Sequence, residues 1–187
     1  MKKKLLIFLS MLLITVTSFA QVKYVTKDYV NLLVSGTSML HDWDMKSAKG
    51  TCTASFAFNT SGELTGLSTL KFVTPVKGLK SGHTGMDNNA YNALKVDKNP
   101  NITFILTTAV VGTDSAIKCN GKLTVAGFTK DVDLVAVYKI NADKSITVSG
   151  TKKLSMSDFK VEPPTFMMGA IKTGNEIVFK FDLTLSR

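Results

Sequence analysis

With 187 residues, 44% of them hydrophobic and 20% charged, the chain is long enough to bury one substantial core and too apolar to stay disordered. Its two cysteines exclude a disulfide-held scaffold, and its lysines are scattered singly with the only arginine at position 187, which argues against a nucleic-acid stripe. A net charge of +9 then fits contact with an anionic membrane surface or plain solubility.

Residues 1–20 read as a signal peptide: Lys2, Lys3 and Lys4 precede the apolar run Leu5 to Phe19, and Ser18-Phe19-Ala20 is a small-x-small cleavage site. Export follows, to the periplasm or beyond. Taking that segment away leaves 20 basic against 14 acidic residues in a single domain, 21–187. Eight strands are predicted in it, at about 29–39, 47–58, 63–73, 101–111, 116–125, 130–140, 145–156 and 175–186. The alternation is cleanest in the last, where Ile177, Phe179, Phe181, Leu183 and Leu185 share one face. Other strands carry apolar residues on both faces, as Ile105 beside Phe104 does, and are expected to be covered on both sides. Short turns such as Asn59-Thr60-Ser61-Gly62 and Asn141-Ala142-Asp143-Lys144 suit an all-β, eight-stranded antiparallel barrel better than a sandwich.

One stretch breaks the β pattern, between strands 3 and 4. Met86, Ala90, Ala93 and Leu94 recur at helical spacing, with Thr84 placed to cap the amino end, Asp87 as the capping-box acid, and Asn99-Pro100 to stop the helix. This helix should cover or plug something. The connection 157–174 is too hydrophobic at Phe166, Met167 and Met168 to lie in water, so it should fold over the barrel mouth or onto the helix.

Chemistry-bearing groups are sparse. His41-Asp42-Trp43-Asp44 reads as a loop with Trp43 packed on the rim; neighbouring residues on an extended chain point apart, so His41 and Asp42 make a poor general-base pair. His41, His83, Cys52 and Cys119 lack metal-ligand spacing, and nothing cradles a phosphate or arms a nucleophile, so neither metal nor cofactor nor catalytic residues are expected. Cys52 and Cys119 both fall on apolar faces, either as buried free thiols or as a bridge. Lys80, Ser81 and the amides at the helix start could receive an anionic or hydroxylated head group, or simply belong to a capped surface helix. Six methionines after residue 20 can fill core or line a permissive pocket.

Asn120-Gly121-Lys122-Leu123-Thr124-Val125-Ala126-Gly127-Phe128-Thr129-Lys130-Asp131-Val132 resembles the G-x-LT-x-x-G-x-T-K-x-V hairpin of the YceI-like family, the lipocalin-like polyisoprenoid-binding proteins exported by bacteria. Ala93-Leu94-Lys95 followed by Asn99-Pro100-Asn101-Ile102-Thr103-Phe104 resembles that family's helix and the strand after it. Where many members carry Arg-Asp-x-His-Leu, this chain reads Ser81-Gly82-His83-Thr84-Gly85-Met86-Asp87, without the Arg. The resemblance implies a barrel whose apolar lumen binds, and carries or stores, a long-chain isoprenoid or similar hydrophobic lipid. On that reading the lumen candidates are Phe56, Phe58, Met86, Leu94, Phe104, Leu123, Val125, Leu134, Phe166, Met168, Phe179 and Phe181. The head-group candidates are Lys80, Ser81, His83 and Asp87. A filled barrel serving as a structural or envelope-stress interaction module is the alternative, an enzyme using His41 or His83 a third, and the oligomeric state stays open between monomer and homodimer.

Overall fold

The computed structural model describes residues 21–166 and 169–187, with Asp28 as backbone only. The expected signal peptide, Met167 and Met168 lie outside the described residues. Strands β1 (Gln21–Ser38), β2 (Trp43–Ser47), β3 (Thr51–Phe58), β4 (Leu64–Pro75), β5 (Asn101–Val111), β6 (Ala116–Val125), β7 (Phe128–Ile140), β8 (Ile146–Ser155), β9 (Thr165–Phe166) and β10 (Ile171–Ser186) follow in order, with one helix, α1 (Thr84–Ala93), between β4 and β5. The order β1-β3-β4-β5-β6-β7-β8-β10 closes on itself through β1–β10 pairing, giving a ring of eight antiparallel strands. Such closure gives every strand of the ring a hydrogen-bonded neighbour on both sides over at least part of its length.

Two predicted strands change shape. The first begins at Gln21, not Tyr29, because Gln21–Val25 pairs with Thr53–Ala57 and buries Tyr24. The second is interrupted at 48–50: β2 pairs the far half of β1 and β3 the near half, so Trp43 lies on a strand and not in a loop. Ile105 is 49% exposed, so the outer face of β5 is uncovered. Its register partners on both sides, Lys71 and Lys122, are lysines whose aliphatic stems can flank it.

The inward faces do not fill the ring evenly. Tyr24, Leu32, Cys52, Ala54, Phe56, Ile117, Ile146 and Leu185 are buried in one cluster toward the end where β1 starts and β10 finishes. Tyr24 meets Phe56 edge-on at 5.4 Å. Its hydroxyl donates to Lys144 O and accepts from Arg187 Nε, at 3.1 and 3.0 Å, closing that end. Aromatic rings lie over glycines: Phe104 over Gly121, Phe181 over Gly150 and Trp43 over Gly36, each leaving no room for a Cβ. Cys52 and Cys119 are buried free thiols, and burial pushes them up to about 12 and about 11, so the reactive thiolate is scarce at neutral pH.

At the other end the strands splay. β7 and β8 pair only over Ala136–Ile140 and Ile146–Gly150. Beyond Gly150 a 3-10 turn (Met156–Phe159) inserts Phe159 and Val161, which pack with Ala126, Leu123 and Leu154. Lys130 Nζ reaches Asp158 Oδ1 at 2.6 Å and ties the insertion to β7. The β6–β7 hairpin turns through Ala126 and Gly127 at φ +50° and +84°, the paired positive angles that a two-residue turn of this twist demands.

Candidate functional site

Over the splayed end lies α1, held at its two ends. The amino end differs from the predicted cap: His83 is the N-cap and makes no side-chain cap bond, and Thr84 is the first helical residue. Asp87, 6% exposed, reaches back instead to Ser81, whose N–H and hydroxyl both donate to Oδ1 at 2.8 Å, while Lys80 Nζ stands 3.3 Å from Oδ2. Lys80 in turn exchanges backbone hydrogen bonds with Lys46 of β2, both 2.8 Å long, so the knot anchors the helix to the ring. Burial opposes ionisation of Asp87, but the two Ser81 donors and the Lys80 ammonium prevail and hold its carboxyl below the usual carboxylate range. At the carboxyl end Lys95 enters the left-handed region at φ +52° and its N–H bonds Asn92 O, so the helix stops before Asn99-Pro100 is reached. Tyr91 Oη donates to Leu79 O at 2.7 Å, and Ala93 and Leu94 pack on the Phe159–Val161 cluster.

Asp87→Asn should therefore loosen the helix start. We expect a loss of about 1 kcal/mol, typical of a lost helix-end interaction, or about 2–4 °C in Tm for a domain of this size. A group whose folded pKa is depressed stabilises above its unfolded value and loses that contribution as pH falls through the folded one. The deficit of the variant should thus be constant above pH ~4 and fade below it. A deficit that persists unchanged at pH 2 in thermal melts would contradict the assignment.

Between α1 and the ring lies a cavity of ≈530 Å³. Its walls are Val34 and Ser38 of β1, Trp43 and Met45 of β2, Val125, Leu154, and Ile171, Thr173 and Ile177 of β10. Met86, Asn89, Ala90, Ala93 and Leu94 form its roof, and Phe159, Val161 and Pro164 to Phe166 close a side. No Lys, Arg, Asp or Glu lines it among the described residues. Its few polar groups are largely engaged locally. The Ser38 hydroxyl donates to His41 O and accepts from the Leu40 and His41 N–H groups, and Trp43 Nε1 donates to Thr37 O. His41 Nδ1 lies 2.7 Å from Asp42 O. That carbonyl can only accept, so Nδ1 carries the hydrogen. The imidazole faces the Asp42 backbone and not its carboxylate, so the residues do not form a general-base pair. No group of three or more His, Cys, Asp or Glu is placed to hold a metal ion among the described residues.

Of the residues singled out from sequence, Met86, Leu94, Val125, Phe166 and His83 line this cavity. Phe56 and Phe181 belong to the buried cluster below it, Phe58, Leu134 and Phe179 pack against that cluster, Phe104 lies buried over Gly121, and Leu123 packs with Phe159 and Val161. Lys80, Ser81 and Asp87 are engaged in the helix anchor and do not line the cavity. Sequence reading passed over Val34, Leu40, Asn89, Leu154, Ile171 and Ile177 as lining residues, while Met45 is among the methionines read as core or pocket lining. Leu154 and Ile171 sit at strand ends, whereas Val34 and Ile177 lie inside β1 and β10 and share the parity of core residues.

Residues 22–185 match the model of a family described as the YceI-like domain. Among solved structures, BcnA of Burkholderia cenocepacia superposes with a TM-score of 0.68 at 16% identity, covering 83% of this chain and 95% of that one. A polyisoprenoid binding domain from Saccharophagus degradans, implicated in plant cell wall breakdown, gives 0.63 at 12% identity over 87% and 97%. The YceI protein of Campylobacter jejuni gives 0.56 at 20% identity over 73% and 81%. No curated protein matches the chain significantly.

Proposed function

The chain belongs to the YceI-like domain family, and from that footing we propose that it binds an amphiphilic lipid of the isoprenoid kind beneath α1 and carries or stores it outside the cytoplasm. The observation that supports this most is the ≈530 Å³ cavity whose wall, among the described residues, carries no Lys, Arg, Asp or Glu. Burying a tail there yields about 25 cal/mol per Å² before ordering costs. An isoprenoid tail is favoured over other lipids by the similarity to a protein described as a polyisoprenoid binding domain. The open upper half of the ring speaks against a filled, ligand-free interaction module, and the similarity to a protein described as a binding domain speaks for a binder over an enzyme. Export rests on the basic, apolar and cleavable pattern of residues 1–20.

The rim suits lipid exchange at a bilayer. Met39 and Leu40 are 69% and 67% exposed at the β1–β2 turn, Phe166 is 58% exposed on β9, and Met39 N–H donates to Lys172 O, which joins the two turns into one apolar lip. Transient contact with an anionic membrane surface is part of the reading. Native mass spectrometry of the protein purified without detergent, with organic extraction of the same sample, tests it. We expect a defined mass increment that extraction removes. Protein that is always lipid-free and takes up no prenol when offered one would refute it.

A further inference from the structure

The cavity does not run the length of the ring, and its depth sets a limit on the ligand. On β10, Ile177 lines the cavity, whereas Phe179 and Phe181, the next residues of the same face, do not. Their rings stack at 5.9 Å between centroids and 27° between planes. Phe181 fills the space that Gly150 leaves on β8, where any Cβ would collide with the ring. On β1, Val34 lines the cavity and the next inward residue, Leu32, is fully buried. Below this level Cys52, Ala54 and Phe56 are buried in one cluster.

Resting on the lipid-binding reading above, we infer that Phe179 and Phe181, packed just below the lining residues, support a floor that restricts the bound tail to about four isoprene units. A cavity of ~150 Å³ accommodates the six carbons of benzene, about 25 Å³ per carbon. On that scale ≈530 Å³ holds about twenty carbons. A tail of forty or more carbons has to leave half its length outside, where its apolar surface stays in contact with water. Such a ligand is disfavoured relative to one that the cavity covers completely. The floor residues are therefore determinants of ligand length, and the glycine beneath Phe181 fixes where the floor lies.

Competitive loading tests this. Farnesol, geranylgeraniol and solanesol, with 15, 20 and 45 carbons, are offered from the same detergent micelles to the intact protein, and bound fractions are read by native mass spectrometry. We expect geranylgeraniol to be preferred over solanesol by at least about tenfold. In Phe179→Ala the preference should fall to about threefold or less. Because a truncated floor can destabilise the ring, Phe179→Leu, which keeps most of the packing, is measured beside it and should give an intermediate ratio. Equal loading of the 20- and 45-carbon alcohols by the unmodified protein, or an unchanged ratio in both folded variants, overturns the floor while leaving lipid binding intact. Loading of none of the three alcohols removes the lipid-binding reading itself, and the floor with it.

Discussion

Replacing Ala90 with Trp should empty the protein of lipid while leaving the ring folded. Ala90 stands in the middle of α1 with its methyl on the cavity roof, between ends that are anchored elsewhere by Asp87 and by Leu94. The substitution adds nine heavy atoms, or about 225 Å³ at about 25 Å³ each, close to two-fifths of the available ≈530 Å³. The indole has somewhere to go, so the backbone need not move and overpacking strain stays small. Each carbon of ligand that it displaces forfeits about 0.8 kcal/mol of burial. Even if most of that is recovered by a bent tail, the affinity should fall at least about a hundredfold, or about 2.7 kcal/mol. Retention of lipid through purification, read by native mass spectrometry, is the measure, with a thermal melt on the same sample. A variant that melts normally and still carries lipid at full occupancy would place the ligand somewhere other than beneath α1.

Phe56→Ala should do the reverse, and cost far more stability than truncation of a ring at the rim. The Phe56 ring is 1% exposed, edge-on to Tyr24 and enclosed by the cluster that fills the lower lumen. Removing a ring from such a place leaves a void that neighbouring strands cannot collapse into, for a typical loss of about 3–5 kcal/mol. Against a total stability of about 5–15 kcal/mol for a domain, that is about a fifth or more of what keeps the chain folded. In a domain of this size it corresponds to a fall of about 6–20 °C in Tm. Phe166→Ala at the rim provides the contrast: the ring is 58% exposed and lines the cavity, so stability should change by less than about 0.5 kcal/mol. Urea unfolding followed by circular dichroism separates the two. Similar midpoints for both variants would mean that the lower lumen is not the packed core described above.

Much of this architecture is written locally in the chain. The alternation of Ile177, Phe179, Phe181, Leu183 and Leu185 states which face of β10 turns inward, and the spacing of Met86, Ala90, Ala93 and Leu94 states where the one helix lies and which of its faces is apolar. Parity has a period of two and carries no information about depth. Ile177 and Phe179 are equivalent by that rule, yet one lines the cavity and the other supports its floor. Depth depends on how the strands are staggered around the ring, which is set by register between residues far apart, such as Leu33 with Lys180. The helix cap failed for a related reason. Thr84 and Asp87 carry a capping signature, but Lys80 is pinned to Lys46 on β2, and that tertiary bridge puts Ser81 rather than Thr84 within reach of the carboxylate. The early start of β1 was hidden because Lys23, Lys27 and Asp28 dilute its apolar pattern, and only pairing with β3 reveals it.

Closure of the ring through β1 and β10 has a consequence for how the molecule is made. Val25 pairs with Ser186 and Ser38 with Thr173, so the seam joins segments from opposite ends of the sequence. No local hairpin can form it, and the entropy of bringing such distant segments together must be met before any of its hydrogen bonds are gained. Chains dominated by contacts of this kind fold in roughly milliseconds to seconds, slower than helical domains. Until β10 arrives, β1 and β8 each present an unpaired edge on which another chain could dock. The seam is thus the last part of the molecule to become safe from aggregation, and a polypeptide delivered from its amino end remains open until its final strand is free.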